Sequence, residues 1–174
     1  LKVIIFKQKC TMQNYNLRKA EFKDSNSILK LIKELAEFEN EPNSVHINVD
    51  DIENDGFGSV PKFKCFVAEI DNIIIGMALY YPRYSTWDGQ TLHLEDLIVS
   101  QNHRGKGVGK HLYTAFINEA LKAGLKRVEW NVLDWNEAAI KFYESTGAKI
   151  LKDWRTVQMP IKEMIKFITS NNKN

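Results

Sequence analysis

LEDLIVSQNHRGKGVGKHL, residues 94–112, decides how the rest of the chain is read. Two adjacent carboxylates, Glu95 and Asp96, precede the apolar run Leu97-Ile98-Val99, which leads into Arg104 and three glycines at every second position, Gly105, Gly107 and Gly109. Beyond the glycines, Val108, Leu112, Phe116 and Ala120 form one stripe with Tyr113, Ile117 and Leu121 beside it, leaving Lys110, Asn118 and Lys122 outward. The spacing predicts a strand, a glycine turn and a half-buried helix over Val108 to Ala123, which Gly124 is placed to end. A glycine turn at a helix N-terminus exposes backbone N–H groups and the positive dipole end, so phosphate is the guest it suits. The common phosphate loops fail on spacing. A P-loop would need Gly where Arg104 stands and Ser or Thr in place of His111. The dinucleotide fingerprint G-x-G-x-x-G fails because Gly107 and Gly109 are separated by a single residue. Taken alone, the loop also admits a plain helix-entry turn.

Outward from this stretch the chain alternates strand and helix patterns. "NYNLRKA" reads as a short strand, Asp24 as an N-cap, and Ile28, Leu31, Ile32, Leu35 and Phe38 as the apolar face of a helix over about residues 25–38. "NSVHINVDDIENDGFGSVP" combines a short helix with a Gly- and Pro-marked loop. "FKCFVAEI", "NIIIGMALYYPR" and "TLHLEDLIV" are three successive strands, with Asp71-Asn72 a tight turn between the first two. "LKRVEWNVL" alternates Val128, Trp130 and Val132 against Arg127, Glu129 and Asn131, as a strand does. A helix over about Glu137 to Ser145 stops at Gly147, "WRTVQMP" reads as a last strand and "IKEMIKFI" as a short terminal helix. The fold class is α/β, a mixed sheet with helices on its faces.

Composition narrows the function classes. A chain of 174 residues, 44% hydrophobic, can bury a real core, and a single domain over residues 12–174 is expected. Residues 1–11 precede Met12 and the first strand pattern, and are set aside as a tag or upstream extension. Lys and Arg number 24 against 22 Asp and Glu, and the basic residues are scattered, so no phosphate-neutralising face for nucleic acid is indicated. Cys10 and Cys65 are too few and too far apart for a disulfide framework or a zinc site, which suits a reducing cytoplasm. No apolar run approaches the roughly 18 residues of a membrane span, so no membrane association is expected. His46, His93, His103 and His111 have no ligand spacing with Cys or carboxylates, and no metal is expected.

Beyond the loop, R-x-x-G-x-G at Arg104, Gly107 and Gly109 stands with "LEDLIV" before it and "WNEAAIKFYESTGA" after it. Together these resemble the acyl-CoA-binding core of the GNAT acetyltransferase superfamily. "ILKLIKELAEFE", "DGFG", "CFVAEI", "IIGMALYY", "YSTWDGQTLHLEDLIV", "VLDWNEAAIKFYESTGA" and Trp154 look like its diamine (spermidine/spermine) acetyltransferase branch, and "VLDWN" and "YSTWDG" look closest to its thialysine N-epsilon-acetyltransferases. The resemblance implies a central, mostly antiparallel sheet flanked by helices, acetyl-CoA as cosubstrate, a small-molecule amine as acceptor, and a homodimer. It implies that the backbone of Leu97, Ile98 and Val99 binds the pantetheine arm as an added strand, and that Arg104, Gly105, Lys106, Gly107, Val108, Gly109 and Lys110 wrap the diphosphate. Asn136 is carried over as a further cofactor contact, with a plain N-cap as its other reading.

The implied reaction poses two proton problems. A primary amine with a pKa of about 10.4 is protonated at neutral pH, so a base must act before attack on the thioester. Glu95 matches the family's base, acting through water. A regular strand would point Glu95 and Asp96 to opposite faces, so only a bulge lets both serve one pocket. The departing thiolate needs an acid, and Tyr143 matches the tyrosine given that role, at the sulfur end of the cofactor. Phe38, Glu39, Trp87, Glu95, Asp96, Glu129, Trp130, Asn131 and Trp154 match acceptor-binding positions, where carboxylates and indole faces suit a cation. One departure is Ser85, standing where polyamine acetyltransferases carry an acidic residue, which favours a lysine-like amino acid or short diamine over a long polycation. The alternatives are a catalytically silent CoA-binding module and a protein lysine acetyltransferase.

Overall fold

The computed structural model describes residues 15–171, so Cys10 and the boundary expected at Met12 lie outside the described residues. The chain forms two compact units, one ending at Asn131 and one beginning at Val132, and each has its own architecture.

The first unit holds one sheet of five strands in the order β1-β2-β3-β4-β5. β1 (Asn16–Lys19), β2 (Lys64–Ile70), β3 (Ile73–Ser85) and β4 (Gly89–Val99) pair antiparallel, and β5 (Val128–Glu129) joins β4 in parallel. The turn expected between β2 and β3 is present. Asp71 and Asn72 have φ of 49° and 62°, the left-handed pair of a two-residue hairpin turn whose twist matches its strands. Thr86-Trp87-Asp88 joins β3 to β4, with the Ser85 hydroxyl accepting from the amides of Trp87 and Asp88.

Two layers of side chains sit on this sheet. On one face Cys65, Val67, Met77, Leu79 and Ile98 pack with Ile28 and Leu31 of α1 (Ser25–Phe38) and Ile52 of α2 (Val49–Phe57). On the other, Tyr80 lies between the rings of Phe66 and Phe116, 5.6 and 5.5 Å away between centroids, and Phe116 and Leu112 of α3 (Val108–Lys122) are fully buried. Alternation along β2 and β3 sends successive residues to opposite layers, which is why the sequence there reads as nearly continuous apolar runs.

The sequence's α1 boundaries hold, but Asp24 does not cap the helix with its side chain. Its carboxylate accepts from both terminal nitrogens of Arg18, at 2.6 and 2.9 Å, and from the Glu21 amide at 2.8 Å. Burial raises this carboxyl, yet the Arg18 guanidinium and the Glu21 amide outweigh it and hold Asp24 below its usual range. A two-pronged, nearly buried arginine contact wins over a single amide cap. Arg18 also reaches Glu69, at 2.7 Å, and so ties β1 to β2.

The second unit contains α4 (Glu137–Ser145) and α5 (Ile161–Asn171). The last strand expected in "WRTVQMP" is not formed, and residues 152–160 are irregular. The described part of this unit contains no strand, so the segment's backbone has no ladder within it to complete. The strand read in "LKRVEWNVL" is likewise reduced to Val128–Glu129. No helix among the described residues is long and apolar enough to cross a membrane.

Candidate active site

The two carboxylates of the opening stretch are brought to one face by a bulge. Along β3 and β4, Tyr80 pairs with Leu94 and Leu79 with Asp96, which leaves Glu95 as an extra residue in β4. Asp96 therefore shares a row with Leu79 and Cys65, on the α1 side of the sheet. Tyr81 pairs with His93, and His93 with Glu129, so these three also lie in one row. The resulting cluster has Glu95 and Asp96 at its centre, Glu39 from the end of α1 on one side, and His93 and Glu129 on the other.

Electrostatics inside the cluster follow from crowding. Burial, then Glu95, then Glu39, pushes the Asp96 carboxyl up to about 7. Burial also raises Glu39. Burial and the neighbouring Glu95 push the Tyr81 phenol up to about 12. Glu129 is compensated differently, by ion pairs to Arg83 and to Arg127, the latter at 3.2 Å, and Arg127 in turn holds Asp88 at 2.7 Å. A crowded, buried carboxyl of raised pKa beside a second carboxylate is the kind of pair at which acid-base chemistry is found.

Downstream of the bulge the strand edge is open. β5 pairs with β4 only at Leu92↔Val128 and His93↔Glu129, so no strand ladder among the described residues covers the Leu97–Val99 stretch on that side. β4 ends where the Ser100 amide donates to the Ile75 carbonyl, at 2.8 Å. Glu34 of α1 then fixes the exit, accepting from the Gln101 amide at 2.9 Å. Gly105 and Gly107 have φ of 73° and 83°, and a Cβ built on either would meet nothing within 4 Å. Glycine is needed there for its left-handed backbone, not for space. Gly107 is the N-cap of α3 and offers no side chain, so side-chain capping leaves the amides of Val108, Gly109 and Lys110 uncovered. Arg104 folds back, donating to the Val99 carbonyl at 2.8 Å with its guanidinium 5.0 Å over the Phe38 ring. Lys106 donates to the Asn102 carbonyl, at 3.3 Å.

The remaining expected residues are placed as follows. Trp87 is 79% exposed at the tip of the β3–β4 hairpin. Trp130 packs edge-on against Tyr113 of α3, and Asn131 is exposed at the end of the unit. In the second unit, Asn136 is the N-cap of α4, its side chain accepting from the Ala139 amide at 3.2 Å, so its plain structural reading is realised. Tyr143 is the buried residue of α4, its ring 5.3 Å from that of Phe142. Trp154 lies in the irregular segment, 68% exposed. Sequence reasoning missed His93, Tyr81 and Glu34. For His93 a signal existed, since it stands two residues before Glu95 on the same strand. No group of three or more His, Cys, Asp or Glu among the described residues is arranged to hold a metal.

An open strand edge leading through a left-handed glycine turn to an uncapped helix start is a cradle for an extended amide-bearing chain that ends in a diphosphate. That defines the class: a mixed sheet whose fourth strand leaves an edge open beside a glycine turn at a helix start. The chain belongs to the acetyltransferase (GNAT) family, whose model matches residues 26–148, and is an N-acetyltransferase. It is 37% identical over 150 residues to a thialysine N-epsilon-acetyltransferase of Mus musculus, covering 82% of this chain and 88% of that protein. It is 35% identical over 145 residues to a spermidine/spermine N(1)-acetyltransferase-like protein of Homo sapiens, covering 79% of this chain but 21% of the relative. Among solved structures, an aminoglycoside N-acetyltransferase in complex with CoA superposes with a TM-score of 0.68 at 18% identity, over 84% of this chain and 95% of that one. GNAT acetyltransferases use acetyl-CoA, and the five-stranded mixed sheet flanked by helices is their fold.

Proposed function

We propose that the chain transfers acetyl from acetyl-CoA to the primary amine of a small molecule, a lysine-like amino acid such as thialysine or a di- or polyamine. The observation that carries this reading is the β4 bulge. It turns Glu95 and Asp96 to one face at the head of the same strand whose free edge, Leu97 to Val99, leads to the glycine turn. Cation site and acyl-donor site are thereby held in register by one element.

In this reading the amides of Gly105 to Lys110 hold the diphosphate, and the Leu97–Val99 edge hydrogen-bonds the pantetheine arm. Arg104, turned back onto Val99, braces that edge, and Lys106 supplies charge at its rim. Glu95 takes a proton from the ammonium through water, so that the neutral amine attacks the thioester carbonyl. Tyr143 gives a proton to the sulfur as the carbon–sulfur bond breaks. A phenol of pKa about 10 is a weaker acid than a thiol of about 8.5, so the transfer is coupled to that cleavage and the phenolate is reprotonated from solvent afterwards. Glu39, Asp96 and Glu129 offer carboxyl oxygens to a cationic acceptor, Glu129 from within its ion pairs to Arg83 and Arg127, and Phe38, Trp87 and Trp154 the apolar and indole surface. The likeness to a thialysine enzyme and Ser85 in place of an acid favour the amino-acid acceptor. The protein is expected to act in the cytoplasm as a homodimer.

Thiol release from acetyl-CoA tests this against thialysine, lysine, putrescine, spermidine and a lysine-containing peptide. Thialysine or lysine is expected to turn over fastest. Measurable CoA binding with release from no amine would identify a silent CoA-binding module, and release with the peptide alone a protein acetyltransferase.

A further inference from the structure

His93 stands inside the acceptor cluster, between two of its carboxylates, without a part in the fold or the reaction described above. Its side chain is 8% exposed, and its ring stacks on Tyr81 with centroids 5.2 Å apart and planes 25° from parallel. Nε2 faces Glu95 Oε2 at 3.7 Å, and Nδ1 faces Glu129 Oε1 at 3.9 Å. Nδ1 is buried without a hydrogen-bond partner. Both separations exceed a hydrogen bond, yet each is short enough that a small side-chain rotation or one water would close it. Leaving a buried polar atom unsatisfied costs stability, a cost that a phenyl ring on the same stack would avoid.

From this geometry we infer that His93 is a positioning residue of the acceptor site: it holds the bulged Glu95 and conducts the amine's proton away from it toward Glu129. The inference rests on the amine-acetyltransferase reading above. As an extra residue in the strand, Glu95 lacks a ladder partner to fix it, and its side chain is 52% exposed. An acceptor seated on that exposed side covers the route to solvent, while the inward route through the imidazole remains. The protons balance. An ammonium N–H bond breaks as the bridging water accepts that proton and passes one on to form a Glu95 O–H; that O–H then breaks as Nε2 is protonated. The Nδ1 proton of the imidazolium leaves by way of Glu129, whose side chain is 24% exposed, and the ring exchanges Nε2–H for Nδ1–H before the next turnover. Facing the ring are Tyr81 from β3, Glu95 from β4 and Glu129 from β5, with Arg83 and Arg127 paired to Glu129.

Two measurements test the inference. In kinetics with the preferred amine, His93→Gln is expected to keep acetyl-CoA affinity and folding while kcat/KM at pH 7 falls by roughly 10²-fold, the usual consequence of a misplaced reacting group. His93→Ala should regain rate with added imidazole and substituted imidazoles, in proportion to their basicity, a dependence that simple cavity filling would not give. The second measurement needs no turnover. The 15N resonances of the His93 ring should respond site by site, Nε2 to Glu95→Gln and Nδ1 to Glu129→Gln. Wild-type rates in His93→Gln, rescue indifferent to basicity, or ring nitrogens blind to both carboxylates would each overturn the relay while the enzyme reading stands. A wild-type protein that acetylates no amine would overturn the enzyme reading itself, and the relay with it.

Discussion

Asp96 shows how one residue's surroundings set its chemistry. Its carboxyl is pushed up to about 7, whereas in an unfolded chain it titrates near 3.9. Between about pH 4 and 7 the folded state therefore holds a proton that the unfolded state has released. Stability contributed by this group is lost as pH rises through that window, the reverse of a salt-bridged carboxylate. Asp96→Asn removes the penalty. The variant is expected to melt at least about 3 °C above wild type at pH 8, with the difference closing near pH 4; an equal difference at both pH values would mean Asp96 is not raised. Tyr143 lends itself to a kinetic test: Tyr143→Phe should bind acetyl-CoA as before and turn over roughly 10²- to 10⁴-fold more slowly. Both residues were named from the sequence, where motif and residue type agreed, and these variants are what tests them. His93 was legible only in part: its place two residues before Glu95 was plain in the sequence, but its partner Glu129 lies on a different strand far along the chain.

At the level of elements, the helices and the β2–β3 turn were legible because their signals are local: a 3.6-residue stripe, a cap, an Asp-Asn pair. The bulge was not. A register slip arises from the packing of β4 against β3, and alternation in LHLEDLIV predicts opposite faces for Glu95 and Asp96. The glycine turn divides into two kinds of glycine with different expected outcomes. Gly107 needs its left-handed φ of 83°, so Gly107→Ala should destabilise the fold by about 1 kcal/mol through strain alone and weaken CoA binding by distorting the turn. Gly109 lies inside α3, and a Cβ there would sit an ordinary 3.6 Å from Val99 Cγ2. Gly109→Ala should therefore leave the melting temperature unchanged or slightly raised. If the diphosphate approaches that amide as proposed, CoA affinity will still fall in Gly109→Ala. Calorimetry showing full affinity would move the diphosphate away from the α3 N-terminus.

For the molecule as a whole, the discrepancy that matters is the missing last strand. "WRTVQMP" alternates as a strand should, yet its own unit contains no described strand to pair with, and Val157 is 90% exposed. Immediately after it, Ile161, Ile165 and Ile168 recur along one face of α5, with Met164 and Phe167 beside them, all of them exposed. An alternating segment without a ladder, followed by an amphipathic helix with its apolar face outward, is incomplete by the rules that shape the rest of the chain. A second copy is the occupant that the homodimer proposal supplies, and a formal charge of +2 would do little to keep two copies apart. Sedimentation at micromolar concentration is expected to give the mass of a dimer. Val157→Asp and Ile165→Asp place charges in the segment and on the helix face, and each should shift the equilibrium toward monomer without loss of the first unit's sheet by circular dichroism. A wild-type chain that sediments as a monomer across that range, or aspartate variants that remain dimeric, would mean that this surface is not where two copies meet.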